Sequence, residues 1–272
     1  MTHPPCPIPD RSGRRTVSGP TDYTMVARHF IAAPVVVVMS RDDNRLRVAL
    51  LDASHGDTHT RRNFRRELDA DLVEFDVTEG DRPSGFGFDA VVVTGSRASV
   101  YWDEEWIDPL VDYVAAATDR GLPMLGVCYG HQVLAAALDG RVESMGEYEI
   151  GYREITRVGE DELLAGIPET FTAFTTHSDA VTELPPGAEL LAENGYGVHA
   201  FRRGRAWGVQ FHPEYDRETA ATLTKQKDLS EERIRSVLDG IDQDNYDAAC
   251  RTKRLFDNFT DYARRIRSET TA

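Results

Sequence analysis

Lysine is almost missing from this 272-residue chain: of 31 basic residues only Lys225, Lys227 and Lys253 are lysines, and the rest are arginines. Cysteine is as scarce. Cys6, Cys128 and Cys250 are too few and too far apart for a disulfide framework or a zinc cluster, and an odd number leaves one unpaired. A reducing cytoplasm is the expected compartment. No apolar run reaches the ~18 residues that a membrane span needs; the longest, 30–39, is interrupted by Pro34. Positive charge is also in deficit. The 46 acidic residues against 31 basic ones give a formal charge of -15, which disfavours a phosphate backbone as partner. Neither nucleic acid nor a membrane is therefore expected. The arginine skew, with 26 Asp against 20 Glu, reads in two ways: the acidic surface of a salt-loving (halophilic) cytoplasm, where concentrated salt screens self-repulsion, or a GC-rich genome.

What is present suffices for a globular α/β protein. Hydrophobic residues make up 40% of the chain, with 11 Phe, 10 Tyr and 3 Trp, enough for a sizeable core. The length fits one large domain with an appendage, or two domains. Pro4, Pro5, Pro7, Pro9, Gly13, Gly19 and Pro20 crowd the beginning, and residues 1–45, which show no helical period, are expected to form a flexible leader. They lack the apolar stretch and small-residue cleavage site of a targeting peptide. Met25 and Met39 are alternative starts.

From Arg47 onward the pattern is orderly. VALLDA (48–53), LVEFDV (72–77), DAVVVTGS (89–96) and PMLGVC (123–128) read as strands. Between and after them, three segments read as helices: 58–68, a stretch headed by Asp103 and Glu104 with Trp106, Leu110, Tyr113 and Val114 at three-to-four spacing, and 131–138. This alternation predicts a mostly parallel central sheet with helices on both faces and chemistry at the carboxyl ends of the strands. Between Tyr148 and Phe211, shorter runs with turn residues predict more strands, some antiparallel. Beyond Tyr215 the chain reads as helical. Ser230 is a plausible cap for a helix ending before Gly240, and a helix over 243–266 places Ala249, Cys250, Phe256, Phe259 and Ala263 on one stripe. The expected organisation is an α/β domain over 46–217 and a helical C-terminal extension over 218–272.

The strongest local signal is GVCYGHQ (126–132), where a strand meets a helix. It has the form of a nucleophile elbow with Cys in place of Ser. A turn tight enough to present a side chain at the strand tip leaves no room for a Cβ on either side, hence Gly126 and Gly130. An isolated G-x-C-x-G arises readily by chance; its strand-turn-helix setting gives it weight. A helix N-terminus and a nearby imidazole lower a thiol pKa from about 8.5 toward neutrality. Such a nucleophile needs a base and a group to orient that base. FHPE (211–214) offers both, because His212 and Glu214 at i and i+2 share one side of an extended segment. His131, His177 and His199 compete for the role of base. A histidine beside an acid is more often a simple surface pair, so it is the combination with the elbow that matters.

GVCYGHQ and VQFHPE together resemble the class I glutamine amidotransferases, whose Cys-His-Glu triad hydrolyses the side-chain amide of glutamine. TGSRASVY (94–101) is similar to their oxyanion-loop region, EIGY (149–152) to a glutamine-pocket segment, and HSDAVTELPPG (177–187) to a stretch of the GMP-synthase-like branch. The resemblance runs from about Val48 to Tyr215. It implies a flavodoxin-like fold in which Cys128 is the nucleophile, His212 the acid and base, and Glu214 its orienter. It further implies an oxyanion hole from the amides of Gly95 and Tyr129, and a substrate pocket lined by Gln132, Gly151 and Tyr152. No metal or cofactor is expected. The chain carries neither a G-x-x-x-x-G-K-[ST] loop nor a Ser-Gly-Gly phosphate loop, so a separate ATP-dependent synthase subunit is the expected acceptor of ammonia. TGSR stands where Gly-Gly-Pro is usual, which points toward a paralogous branch that includes γ-glutamyl peptidases. Three functions follow: a glutaminase feeding a synthase, a stand-alone γ-glutamyl hydrolase or peptidase, or a non-catalytic binding or thiol-sensing protein on the same fold.

Overall fold

The structure, a computed structural model, describes residues 45–271. The expected leader lies outside the described residues, Arg45 apart. Three strands are buried at every position, β3 (Ala90–Val93), β4 (Met124–Val127) and β9 (Ala206–Val209), as are five of the six residues of β1 (Arg47–Asp52). Such runs belong in the middle of a sheet covered on both faces. Together with the half-buried edge strand β2 (Asp71–Asp76), they pair in parallel in the order β2-β1-β3-β4-β9. The sheet continues antiparallel through β8 (Gly197–Arg203), β7 (Glu189–Asn194), β5 (Arg141–Arg157) and the edge strand β6 (Thr170–Glu183). The mixed nine-stranded sheet thus contains the predicted parallel core and the antiparallel continuation expected between Tyr148 and Phe211.

Helices cover both faces. On one, α1 (Thr58–Glu67) contributes Phe64 to a core shared with Leu255, Phe256, Phe259 and Ala263 of α7 (Arg254–Thr271). On the other, α2 (Ile107–Asp119) and α3 (Tyr129–Ala137) pack through Ile107, Leu110, Val114, Val133 and Leu134. The stripe on α7 is therefore core. No helix among the described residues is long and apolar enough to cross a membrane.

Three helix boundaries depart from the sequence reading. α2 begins at Ile107, after Asp103 and Glu104, because the Glu104 carboxylate accepts the Trp106 indole N–H at 3.1 Å and its carbonyl accepts the Ile107 amide. α3 begins two residues early, at Tyr129. The single helix expected over 243–266 is two: α6 (Gln243–Ala249) and α7, joined by a 3₁₀ turn at Cys250–Lys253. The hydroxyl of Thr252 donates to the Ala249 carbonyl at 2.7 Å within this tightened turn. Ala249 and Cys250 are consequently half-buried and off the α7 stripe.

The remaining helices, α4 (Arg217–Lys225), α5 (Glu231–Asp239) and α6, follow β9. Ala220, Val237, Leu238 and Ile241 pack with Tyr148, Ile150, Tyr152 and Phe174 of β5 and β6. Ser230 caps α5 as expected. Asp216 caps α4 by accepting from the Thr219 amide at 2.8 Å, and its other oxygen accepts from Arg62 and Arg66 of α1, both at 2.8 Å. Asp216→Ala is expected to cost about 1–2 kcal/mol of folding stability, measured by urea denaturation, since it removes the cap and the acceptor of two guanidinium groups.

Candidate active site

Cys128 sits between β4 and α3 with φ 54° and ψ -103°, a conformation that a non-glycine residue adopts only when its surroundings enforce it. Its amide donates to the Val209 carbonyl at 2.8 Å, and its carbonyl accepts from His131 and Gln132 in the first turn of α3. The two flanking glycines are sterically required. A Cβ on Gly126 would lie 2.2 Å from the Gly130 carbonyl oxygen, and one on Gly130 would lie 2.3 Å from the Val93 carbonyl oxygen.

Just past β9 the chain brings in His212, whose amide donates to Phe174 of β6 at 2.8 Å. Its Nδ1 is 2.8 Å from Glu214 Oε1, and Tyr215 stacks on the ring at 4.0 Å. The pairing arises through a turn at residues 213–214 instead of the extended segment expected, since β9 ends at Val209. Arg66 of α1 donates to the Glu214 carbonyl at 2.6 Å and so ties this turn to the helix layer. Cys128 and His212, far apart in sequence, both approach one glycine: a Cβ on Gly95 would lie 3.0 Å from His212 Cε1 and 3.6 Å from Cys128 Cβ. All three members of the set are buried, and His212 Nε2 has no hydrogen-bond partner among the described residues.

Burial alone would lower the pKa of His212, but the negative charges of Cys128 and Glu214 beside it outweigh that and raise it to about 10. A folded-state value above the ordinary 6.5 contributes stability that is full below pH 6.5 and lost as pH climbs through about 10. Wild-type protein is therefore expected to lose stability between pH 7 and pH 10 in urea titrations. Cys128→Ala, with one of those charges gone, is expected to lose less.

Gly95 lies on the loop leaving β3, and Tyr129 opens α3; neither amide N–H donates a hydrogen bond among the described residues. Tyr129 packs its ring against Trp106 at 5.6 Å, and burial pushes its hydroxyl pKa up. Gln132 is buried with its side-chain nitrogen donating to the Asp179 carbonyl at 3.2 Å and to Gln210 Oε1 at 3.1 Å, so that nitrogen is engaged within the protein. Gly151 has φ 108° and lies under α5, 3.7 Å separating its would-be Cβ from Val237. Tyr152 meets Phe174 edge to face at 5.2 Å, Phe174 meets Tyr215, and Tyr215 meets His212. Tyr152 thus connects to the His212 imidazole through two intervening rings.

The other histidines turn elsewhere. His131 is wholly buried against Phe201, and burial lowers its pKa to about 3 despite the neighbouring Gly208 backbone. His177 and His199 gather on Glu149: His177 Nε2 lies 2.6 Å and His199 Nε2 3.2 Å from Glu149 Oε2, and Asn194 donates to Oε1 at 2.7 Å. Burial would raise the Glu149 pKa, yet the two rings bring it down to about 2. These three ligand atoms lie within 4.8 Å of one another and are the type of donor set that binds a cation. However, two ligands of a tetrahedral zinc stand about 3.3 Å apart, and the 2.6 Å contact is instead a hydrogen bond. Glu149, Asp179 and Gln210 were not singled out by the sequence reading as site residues, although EIGY, HSD and VQFHPE contain them.

Residues 53–228 match the profile of the family described as "Glutamine amidotransferase class-I". The chain is 35% identical over 172 residues to "GMP synthase [glutamine-hydrolyzing]" of Thermomicrobium roseum, covering 61% of this chain and 31% of that one. It is 38% identical over 128 residues to the protein of that name in Staphylococcus aureus, covering 46% and 24%. It spans about a third or less of these relatives. Among solved structures, a glutamine amidotransferase of Thermotoga maritima shares the fold with a TM-score of 0.68 at 20% identity, covering 79% of this chain and 98% of that one. A putative GMP synthase subunit of Thermoplasma acidophilum does so with 0.61 at 21%, covering 84% and 98%.

Proposed function

Because the chain belongs to the class I glutamine amidotransferases, we propose that it hydrolyses the side-chain amide of glutamine through a Cys128 thioester and delivers the ammonia to a separate ATP-dependent synthase subunit. The observation that carries this reading is the convergence of the strained Cys128 and the Glu214-bound His212 beside Gly95. Cys128 Sγ attacks the amide carbon as thiolate. The carbonyl oxygen becomes an oxyanion within reach of the unengaged N–H groups of Gly95 and Tyr129, each such donor being worth roughly 3 kcal/mol. His212, with Nδ1 on Glu214, gives the Nε2 proton to the departing ammonia and then takes one from the water that hydrolyses the γ-glutamyl thioester. Glutamate leaves and Cys128 is regenerated.

The synthase partner is supported by the names of the relatives, of which this chain matches about a third or less. The test is turnover of glutamine and of a panel of γ-glutamyl peptides, with and without an ATP-pyrophosphatase synthase subunit. The expected result is ammonia release from glutamine that rises when the synthase is added. Peptide turnover exceeding that of glutamine, without a partner, would assign the site to a stand-alone γ-glutamyl peptidase. Ligand binding with no turnover of any substrate would leave only a binding protein.

A further inference from the structure

The HSD segment has a task that the catalytic set leaves unexplained. Asp179 lies on β6 and is 6% exposed. Its carboxylate accepts two hydroxyl hydrogen bonds, from Ser99 Oγ to Oδ2 at 2.5 Å and from Tyr101 Oη to Oδ1 at 2.9 Å. Its main-chain carbonyl accepts from Gln132 Nε2 at 3.2 Å and stands 2.8 Å from His177 Nδ1.

These partners belong to two different segments of the site. Ser99 and Tyr101 lie on the loop that leaves β3 at Gly95 and reaches α2 without regular structure. Gln132 lies in the first turn of α3, which opens at Tyr129. At its base the loop is held by main-chain bonds from the Thr94 amide to the Leu51 carbonyl and from the Gly130 amide to the Thr94 carbonyl, both at 3.1 Å; beyond Gly95 its other hydrogen bonds are local, such as Ala98 N–H to Ser96 Oγ and Trp102 N–H to the Ser99 carbonyl. Tyr101 and Trp102 are about half exposed, so packing alone holds the tip weakly. The strand that carries Asp179 is itself fixed, because His177 Nε2 is bonded to Glu149 of β5 and the Phe174 carbonyl holds the amide of His212.

We propose that Asp179 is a positioning residue of the oxyanion hole: its carboxylate holds the Gly95 loop beyond its base and its carbonyl holds the first turn of α3, which adds to the main-chain bond from the Gly130 amide to the Thr94 carbonyl in keeping the two N–H donors in place. This inference rests on the reading of the site as an acyl-transfer centre. Donors fixed in advance act on the charge that develops in the transition state and little on the neutral amide of the bound substrate, so a loosened hole lowers kcat and leaves KM in place.

Three variants test it. Asp179→Ala is expected to lower kcat for glutamine about 10- to 100-fold with KM within about 3-fold. Affinity for an aldehyde analogue of glutamine, whose adduct with Cys128 carries the oxyanion, should fall by the same factor. Asp179→Asn retains an acceptor and a donor for hydroxyls that can do either, and is expected to restore kcat to within about 3-fold of wild type. Should Asp179→Ala fail to fold, the Ser99→Ala/Tyr101→Phe double variant removes the same two hydrogen bonds from the other side and should show the same split. A rise in KM at constant kcat, an unchanged aldehyde affinity, or full activity in Asp179→Ala would overturn the proposal while leaving the reading of the site intact. A wild-type protein that turns over no γ-glutamyl substrate would instead sink that reading, and this inference with it.

Discussion

Replacement of Cys128 by alanine is expected to lower ammonia release from glutamine about 10⁴- to 10⁶-fold while leaving the fold and ligand binding in place. In the proposed mechanism the sulfur forms the covalent intermediate, and neither the water nor the imidazole left behind offers a comparable nucleophile at neutral pH. The amides of Gly95 and Tyr129 and the Glu214-bound His212 persist in the variant, and these set the residual rate. Alanine is small enough to sit on the strained turn, so the fold should be retained. The measurement is coupled-assay ammonia release beside calorimetric glutamine binding. Turnover within tenfold of wild type would mean that the chemistry does not pass through position 128.

The second large effect is structural. Gly130→Ala is expected to cost about 3 kcal/mol or more, lowering the melting temperature by roughly 6–12 °C, and to reduce turnover at least about 100-fold. The added methyl group would stand 2.3 Å from the carbonyl oxygen and 2.9 Å from the carbonyl carbon of Val93, main-chain atoms of a fully buried central strand. No side-chain rotation relieves such a contact. The helix must retreat from β3, and the elbow moves with it, because the Gly130 amide donates to the Thr94 carbonyl at 3.1 Å. Gly126→Ala should behave alike, its Cβ meeting the Gly130 carbonyl at 2.2 Å. A Gly130→Ala protein that melts and turns over like wild type would show that the elbow has slack the structure does not contain.

Where an interaction is local in sequence, the residues announce it. The glycines of the elbow follow from the sterics of one turn, and His212 with Glu214 from a two-residue separation, although the turn at 213–214 makes that pair by a different backbone path from the one expected. The α2 boundary was less legible, because Glu104 spends its carboxylate on Trp106 instead of a helix cap. The surroundings of Gln132 and Tyr152 were least legible. Gln132 turns its side-chain nitrogen onto Asp179 and Gln210, and Tyr152 stands behind Phe174 and Tyr215.

By itself the sequence determined the order of strands and helices, the burial of the parallel strands, and the tight strand-to-helix turn at Cys128, since these depend on hydrophobic period and on steric limits within a few residues. Only the tertiary structure decided that β6 passes behind the site, that Glu149, His177 and His199 from three strands share one buried cluster, and that Asp179 bonds both the Gly95 loop and α3. Those contacts join residues 28 to 80 positions apart. A one-residue change in strand register would turn every side chain on β6 to the opposite face, so no property of the separate segments encodes them.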